Sequence, residues 1–146
     1  MSEIIYITPE LARKTHEKTI QCSGGGELGE LDFARLEGVL FNMQNDDWYP
    51  TFVDKLTHLF FCTCQFHCFA DGNKRLALTL STLFLLLNGY LTVAKTFLPK
   101  TENICLYVAA SKIDKELLHR ILEAIMDESF DDDEELKFEI YRAIGG

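Results

Sequence analysis

Positive charge is what this sequence has least of. Among 146 residues there are fourteen Lys and Arg against twenty-three Asp and Glu, a formal net charge of −9. A protein that grips nucleic acid by neutralising phosphates needs a net basic face, so direct nucleic-acid binding is not expected. Long apolar runs are also missing. The longest, Leu76 to Leu87, is interrupted by Thr79, Ser81 and Thr82, and it falls short of the roughly 17–25 residues that cross a bilayer. Met1-Ser2-Glu3-Ile4-Ile5 has neither a basic region nor a long apolar stretch, so neither a signal peptide nor a membrane association is expected. Nor do the cysteines look paired. Cys22, Cys62, Cys64, Cys68 and Cys105 are odd in number and three of them crowd into seven positions, unlike a secreted disulfide framework. A soluble protein of the reducing cytoplasm is the expectation. No internal repeat and no second domain is visible.

The acidity is unevenly spread. Asp127, Glu128, Asp131, Asp132, Asp133, Glu134 and Glu135 supply seven of the acids, and residues 127–136 hold no Lys or Arg. Without them the chain is close to neutral, and the run reads most simply as a solvated linker. The expected division is a main domain over residues 1–126, then an acidic linker and short C-terminal helix over 127–146 within the same unit.

Apolar spacing predicts an all-α bundle of six to seven helices, with room for one small hairpin. Thr8 and Pro9 open a helix to about Gln21. Four glycines between Ser23 and Leu31 make the one obvious loop. Asp32 caps a second helix to about Met43, and a third runs from about Thr51 to Phe66. The fourth, Asn73 to Leu87, ends at Asn88-Gly89 and is apolar on nearly every side, which puts it at the centre of the bundle. Residues 90–100 are ambiguous and could be extended, punctuated by Pro99. Thr101 caps a fifth helix to about Lys112, and Asp114 a sixth to about Met126. Leu136, Ile140 and Ile144 mark a last short one.

A polar turn feeds the apolar fourth helix: His67-Cys68-Phe69-Ala70-Asp71-Gly72-Asn73-Lys74-Arg75. Gly72 lets backbone approach a ligand closely. The first amides of the following helix, from Asn73 to Arg75, lack intrahelical partners and favour an anion such as phosphate. Lys74 and Arg75 add positive charge, the latter as a bidentate fork. Asp71 is a hard oxygen donor of the kind Mg²⁺ takes beside substrate phosphates. His67, at the end of the preceding helix, could accept a proton from an attacking hydroxyl.

The text His-x-Phe-x-Asp-Gly-Asn-Lys-Arg resembles the signature of the Fic/Doc family. Asn73-Lys74-Arg75, Ala77-Leu78, Phe84-Leu85 and Asn88-Gly89 are similar to its Doc (death on curing) branch, and with Gly24-Gly25 and Leu36-Glu37 the resemblance spans roughly residues 3–126. It implies a transferase in which His67 is the general base and Phe69 anchors the loop in the core. Asp71 would hold Mg²⁺ against the phosphates of ATP or another nucleoside triphosphate. Gly72, Asn73 and Lys74 would bind phosphate oxygens and Arg75 would clamp one. The loop from Ser23 to Leu31 takes the place of the family's flap.

Nucleotidyl-transferring members have Gly at position 74 and a second Arg at position 78. Lys74 and Leu78 stand there instead, which by resemblance favours phosphorylation of a protein Ser or Thr hydroxyl. The alternatives are AMP transfer and an inactive binding module. The resemblance also implies a toxin, a protein substrate such as a translation factor, and a separate antitoxin, because no inhibitory Ser/Thr-x₃-Glu-Gly/Asn pattern is present. Cys62 and His58 share one helical face and Cys64 and Cys68 another, so the four are expected as buried thiols and a structural histidine rather than ligands of one ion. His16 and His119 are likewise expected to be structural.

Overall fold

The computed structural model describes residues 3–23, 30–65 and 73–145. These form seven α-helices and one 3₁₀ turn: α1 Pro9–Ser23, α2 Glu30–Asn42, α3 Phe52–Gln65, α4 Asn73–Leu87, α5 Leu91–Ala109, α6 Lys115–Met126, the 3₁₀ turn Phe130–Asp132 and α7 Glu134–Ala143. The all-α expectation holds. No strand occurs among the described residues.

Local side-chain chemistry sets most of the helix starts. The Thr8 hydroxyl accepts the Leu11 amide at 3.1 Å, which frees Pro9 to occupy the first helical position. At α3, Thr51 and Asp54 cap reciprocally. The Asp54 amide donates to Thr51 Oγ1 at 3.1 Å and the Thr51 amide to Asp54 Oδ2 at 3.0 Å, which satisfies two otherwise orphaned donors. Asp114 accepts from the Leu117 amide at 2.8 Å to start α6, and Asp133 from the Leu136 amide at 3.0 Å to start α7. Gly89 ends α4 with φ of +85°. Its amide donates to the Leu86 carbonyl, and the Tyr90 amide to the Leu85 carbonyl at 3.0 Å. This is the left-handed turn that closes many helices.

Helix α4 packs on α1, α3 and α5. Leu76, Ala77, Leu80, Phe84 and Leu85 are fully buried, so the apolar helix lies inside the bundle as its composition demands. Its burial is not complete, however. Arg75, Thr79, Leu83 and Leu86, spaced along one face, reach the surface in part, and Leu86 is 45% exposed. The neighbours close three sides and leave this stripe open.

Phe52, the first residue of α3, stacks on Phe84 near the end of α4 with ring centroids 4.6 Å apart. The two helices therefore run antiparallel, and the last turn of α3 lies at the same end of the bundle as the first turn of α4. The lead-in residues 3–8 lie beside the opposite end. There the Asn88 side chain imitates a strand partner: its Oδ1 accepts the Ile5 amide at 2.8 Å, and its Nδ2 donates to the Ile5 carbonyl at 2.9 Å.

Several boundaries differ from the sequence reading. Helix α2 begins at Glu30, so Asp32 lies inside it and is not its cap. Ser23, Glu30 and Leu31 are helical, which shortens the expected loop; residues 24–29, where a hairpin flap was expected, lie outside the described residues. Residues 90–100 are not extended. From Leu91 to Ala109 the chain is one helix with Pro99 inside it. Burial explains this. Val93, Phe97, Thr101, Ile104 and Val108 form one buried stripe, whose contact with the core outweighs the amide that Pro99 lacks. Pro99 is exposed, as is Lys95, the residue one turn earlier whose carbonyl a proline cannot bond. Thr101 is thus no cap. It is fully buried and its hydroxyl donates to the Phe97 carbonyl at 2.8 Å.

The acidic segment is ordered around two short elements. Leu136 of α7 joins the core, and Ile140 and Ile144 pack against it. Lys100 pairs with Asp131 at 3.3 Å, and Arg120 of α6 pairs with Glu139 of α7.

Candidate active site

Helices α3 and α4, which the motif segment joins in sequence, stop and start at one end of the bundle. Helix α3 runs to Gln65 and α4 begins at Asn73. His67, Phe69, Asp71 and Gly72 lie in residues 66–72, outside the described residues, and the side chains of Asn73 and Lys74 are likewise not described. What can be placed is the frame that carries them. Gln65 Nε2 donates to the Val108 carbonyl at 2.6 Å, and Cys64 Sγ lies 3.0 Å from Cys105 Sγ. Both contacts tie the last turn of α3 to α5.

On the other side of the turn, Leu76 and Ala77 are fully buried and hold the first turn of α4 in the core. The start of a fifteen-residue helix carries orphan amides and the positive end of a dipole. Arg75 is exposed and has no ion-pair partner among the described residues. A guanidinium in that state, in the first turn of a helix, is available to an anion. Leu78 is buried, at 7% exposure, among the core residues. Its backbone carbonyl accepts the Thr82 hydroxyl at 2.8 Å, and its side chain faces the bundle interior.

The Fic/DOC family model matches residues 4–85, more than half of the chain. The chain belongs to the Fic/DOC family. Searches of curated proteins and of solved structures return no match. Members of this family are nucleotide-dependent transferases that modify proteins. In this Fic/DOC chain the match takes in the whole motif turn and ends within α4, so α5 to α7 lie beyond it, whereas the resemblance read from sequence reaches to about residue 126. No helix among the described residues is long and apolar enough to cross a membrane.

The described cysteines of α3 face apart as helical geometry predicts, although Cys62 is half-buried where a buried thiol was expected. Cys62 Sγ faces His58 Nδ1 at 3.5 Å on one side of α3, while Cys64 turns to Cys105 on another; Cys68 lies outside the described residues. His16 is buried at 2% exposure, and burial holds its pKa below the usual range, against a small opposing pull from Glu17.

His58 and His119 are more than core filler, and sequence reading missed what surrounds them. The Lys115 ammonium donates to His58 Nδ1 at 2.9 Å, and Tyr49 stacks on the imidazole at 4.3 Å. Burial and, second, the Lys115 charge push the His58 pKa down to about 4. Its Nε2 is buried with no hydrogen-bond partner among the described residues. His119 Nε2 meets Asp54 Oδ1 at 2.8 Å. Burial works to raise the Asp54 pKa, but hydrogen bonds from Thr51 and His119 outweigh it and hold the carboxyl below its ordinary value. The available signal was the four-residue spacing of His58 and Cys62 on α3. Lys115, 57 residues away in the chain, could not be paired with them from sequence.

Proposed function

We propose that this chain transfers the γ-phosphoryl group of ATP to a Ser or Thr hydroxyl of a target protein, acting as the toxin of a toxin–antitoxin pair. The observation that carries the reading is the family match across the motif turn, which ends in an anion-ready helix start with Arg75 exposed beside it. An imidazole nitrogen of His67 takes the proton of the attacking hydroxyl. The new bond joins that oxygen to the γ-phosphorus, and the bond to the β–γ bridging oxygen breaks to leave ADP. Backbone amides from Gly72 to Lys74 and the Arg75 guanidinium hold the phosphate oxygens as charge builds on them.

The donor chemistry fits a hard cation, since Asp71 supplies a carboxylate two residues before α4 begins. Mg²⁺ bound there would neutralise charge shared between neighbouring phosphates. Phosphoryl rather than AMP transfer is supported by Lys74, where nucleotidyl-transferring members have Gly, and by Leu78, where they have a second Arg. Leu78 is built into the core, so that position offers no cation to a ligand. The target would be a protein such as a translation factor, with a separate antitoxin as inhibitor.

The deciding experiment incubates the chain with candidate targets and ATP labelled at either the α or the γ phosphorus. Label from γ but not α on the target supports phosphorylation. Label from α identifies AMP transfer instead. His67→Ala should abolish transfer and toxicity. Toxicity retained in His67→Ala would mean that the chain acts as a binding module.

A further inference from the structure

A second site lies at the far end of α3 from the motif. Asp54 and Gln65 are eleven residues apart on that helix, about 16 Å at 1.5 Å per residue. Around the Asp54 end a cleft of about 470 Å³ opens, lined by residues that include Trp48, Tyr49, Asp54, Lys115 and His119. That volume suits a small molecule.

The charges in the cleft are not all matched. Asp54 is bound by Thr51 and His119, and Arg120 is paired with Glu139. Glu116 is solvent-exposed and therefore largely screened. Lys115 differs. In a chain with twenty-three carboxylates, its ammonium has no carboxylate partner among the described residues. It rests on the neutral His58 imidazole at 2.9 Å and lies 5.1 Å from the Tyr49 ring centre. An ammonium has three N–H donors, so two remain for another acceptor.

This arrangement lowers stability, because it forces His58 to stay neutral with Nε2 buried and without a partner among the described residues. Departures of this kind collect at functional sites. Beside Lys115, Trp48 stands 69% exposed, a broad flat wall with no ring stacked on it among the described residues.

We propose that this cleft is a binding site, separate from the motif turn, for a small molecule that joins a flat aromatic ring to one anionic group. The ring lies against Trp48 and the anion accepts from Lys115 Nζ. His119, whose Nε2 is engaged by Asp54, presents Nδ1 to any further polar group the ligand carries. The proposal does not depend on which group the motif turn transfers.

Trp48 is the only tryptophan in the chain, so intrinsic fluorescence reports on the cleft without a label. The full chain is titrated with benzoate and with AMP, which carry the same ring-plus-anion chemistry on a carboxylate and on a phosphate. Benzyl alcohol (ring without charge) and acetate (charge without ring) serve as controls. Saturable quenching by benzoate or AMP at concentrations where both controls are silent is expected. Whichever of the two binds more tightly names the source of the anion.

Lys115→Met should weaken that binding about tenfold or more, as loss of a charge-assisted bond implies, and Lys115→Arg should largely keep it. Preserved far-UV dichroism in Lys115→Met shows that the fold survives. No quenching by either ligand overturns the proposal. So does quenching matched by benzyl alcohol, or quenching by AMP that Lys115→Met leaves unchanged, because the ligand would then bind elsewhere.

Discussion

Acid should destabilise this protein through one histidine more than any other. The folded His58 pKa of about 4 lies below the ordinary histidine value of 6.5, so between those values the unfolded chain binds a proton that the folded chain refuses. Stability is therefore fully present above about pH 6.5 and is lost as pH falls toward 4. A shift of that size amounts to about 3 kcal/mol in full, of which about 2 kcal/mol falls between pH 7 and pH 5. Urea denaturation at a series of pH values measures it.

Two nearby contributions have to be separated. His16 is also shifted down and adds to the same slope, whereas the lowered Asp54 pKa acts at more acid pH. The informative comparison is wild type against His58→Leu, in which His16 and Asp54 remain. The variant should lose about 2 kcal/mol of the drop between pH 7 and pH 5. Histidine proton shifts followed by NMR give the pKa directly. An unchanged slope in His58→Leu, or a His58 titration midpoint near 6.5, would refute the burial argument.

In the transfer reaction, Arg75→Ala should lower turnover by about 10²–10³, the usual loss when one donor to developing charge is removed, and Asp71→Asn should weaken the dependence on Mg²⁺; rates within twofold of wild type would remove either role. Glu128 closes α6 with φ of 58°, so Glu128→Gly should stabilise the fold by up to about 1 kcal/mol, seen as a higher melting temperature. Asn88→Ala should cost about 1–3 kcal/mol through the lost bonds to Ile5 and Phe84, with faster amide exchange at Ile5. The fully buried Lys55 donates to the Met43 carbonyl at 3.1 Å and to Asp46 at 2.7 Å. Lys55→Met should therefore cost about 1–3 kcal/mol by orphaning that carbonyl, read from the urea midpoint.

The sequence by itself determined the all-α class, the bounds of α4, and the caps at Thr8, Asp114 and Gly89. These follow from spacing and from side chains that bond to their own backbone a few residues away. The nine-residue motif was legible for the same reason, because its residues are contiguous and each has a distinct chemical use. Only the tertiary structure decided that Pro99 lies within a helix, since the strip from Val93 to Val108 gains more from the core than one missing amide costs. Only the tertiary structure brought Lys115 to His58 and His119 to Asp54, and turned Leu78 inward. Each of those outcomes depends on which surfaces meet across the bundle, and partners 57 and 65 residues apart leave no local spacing to read.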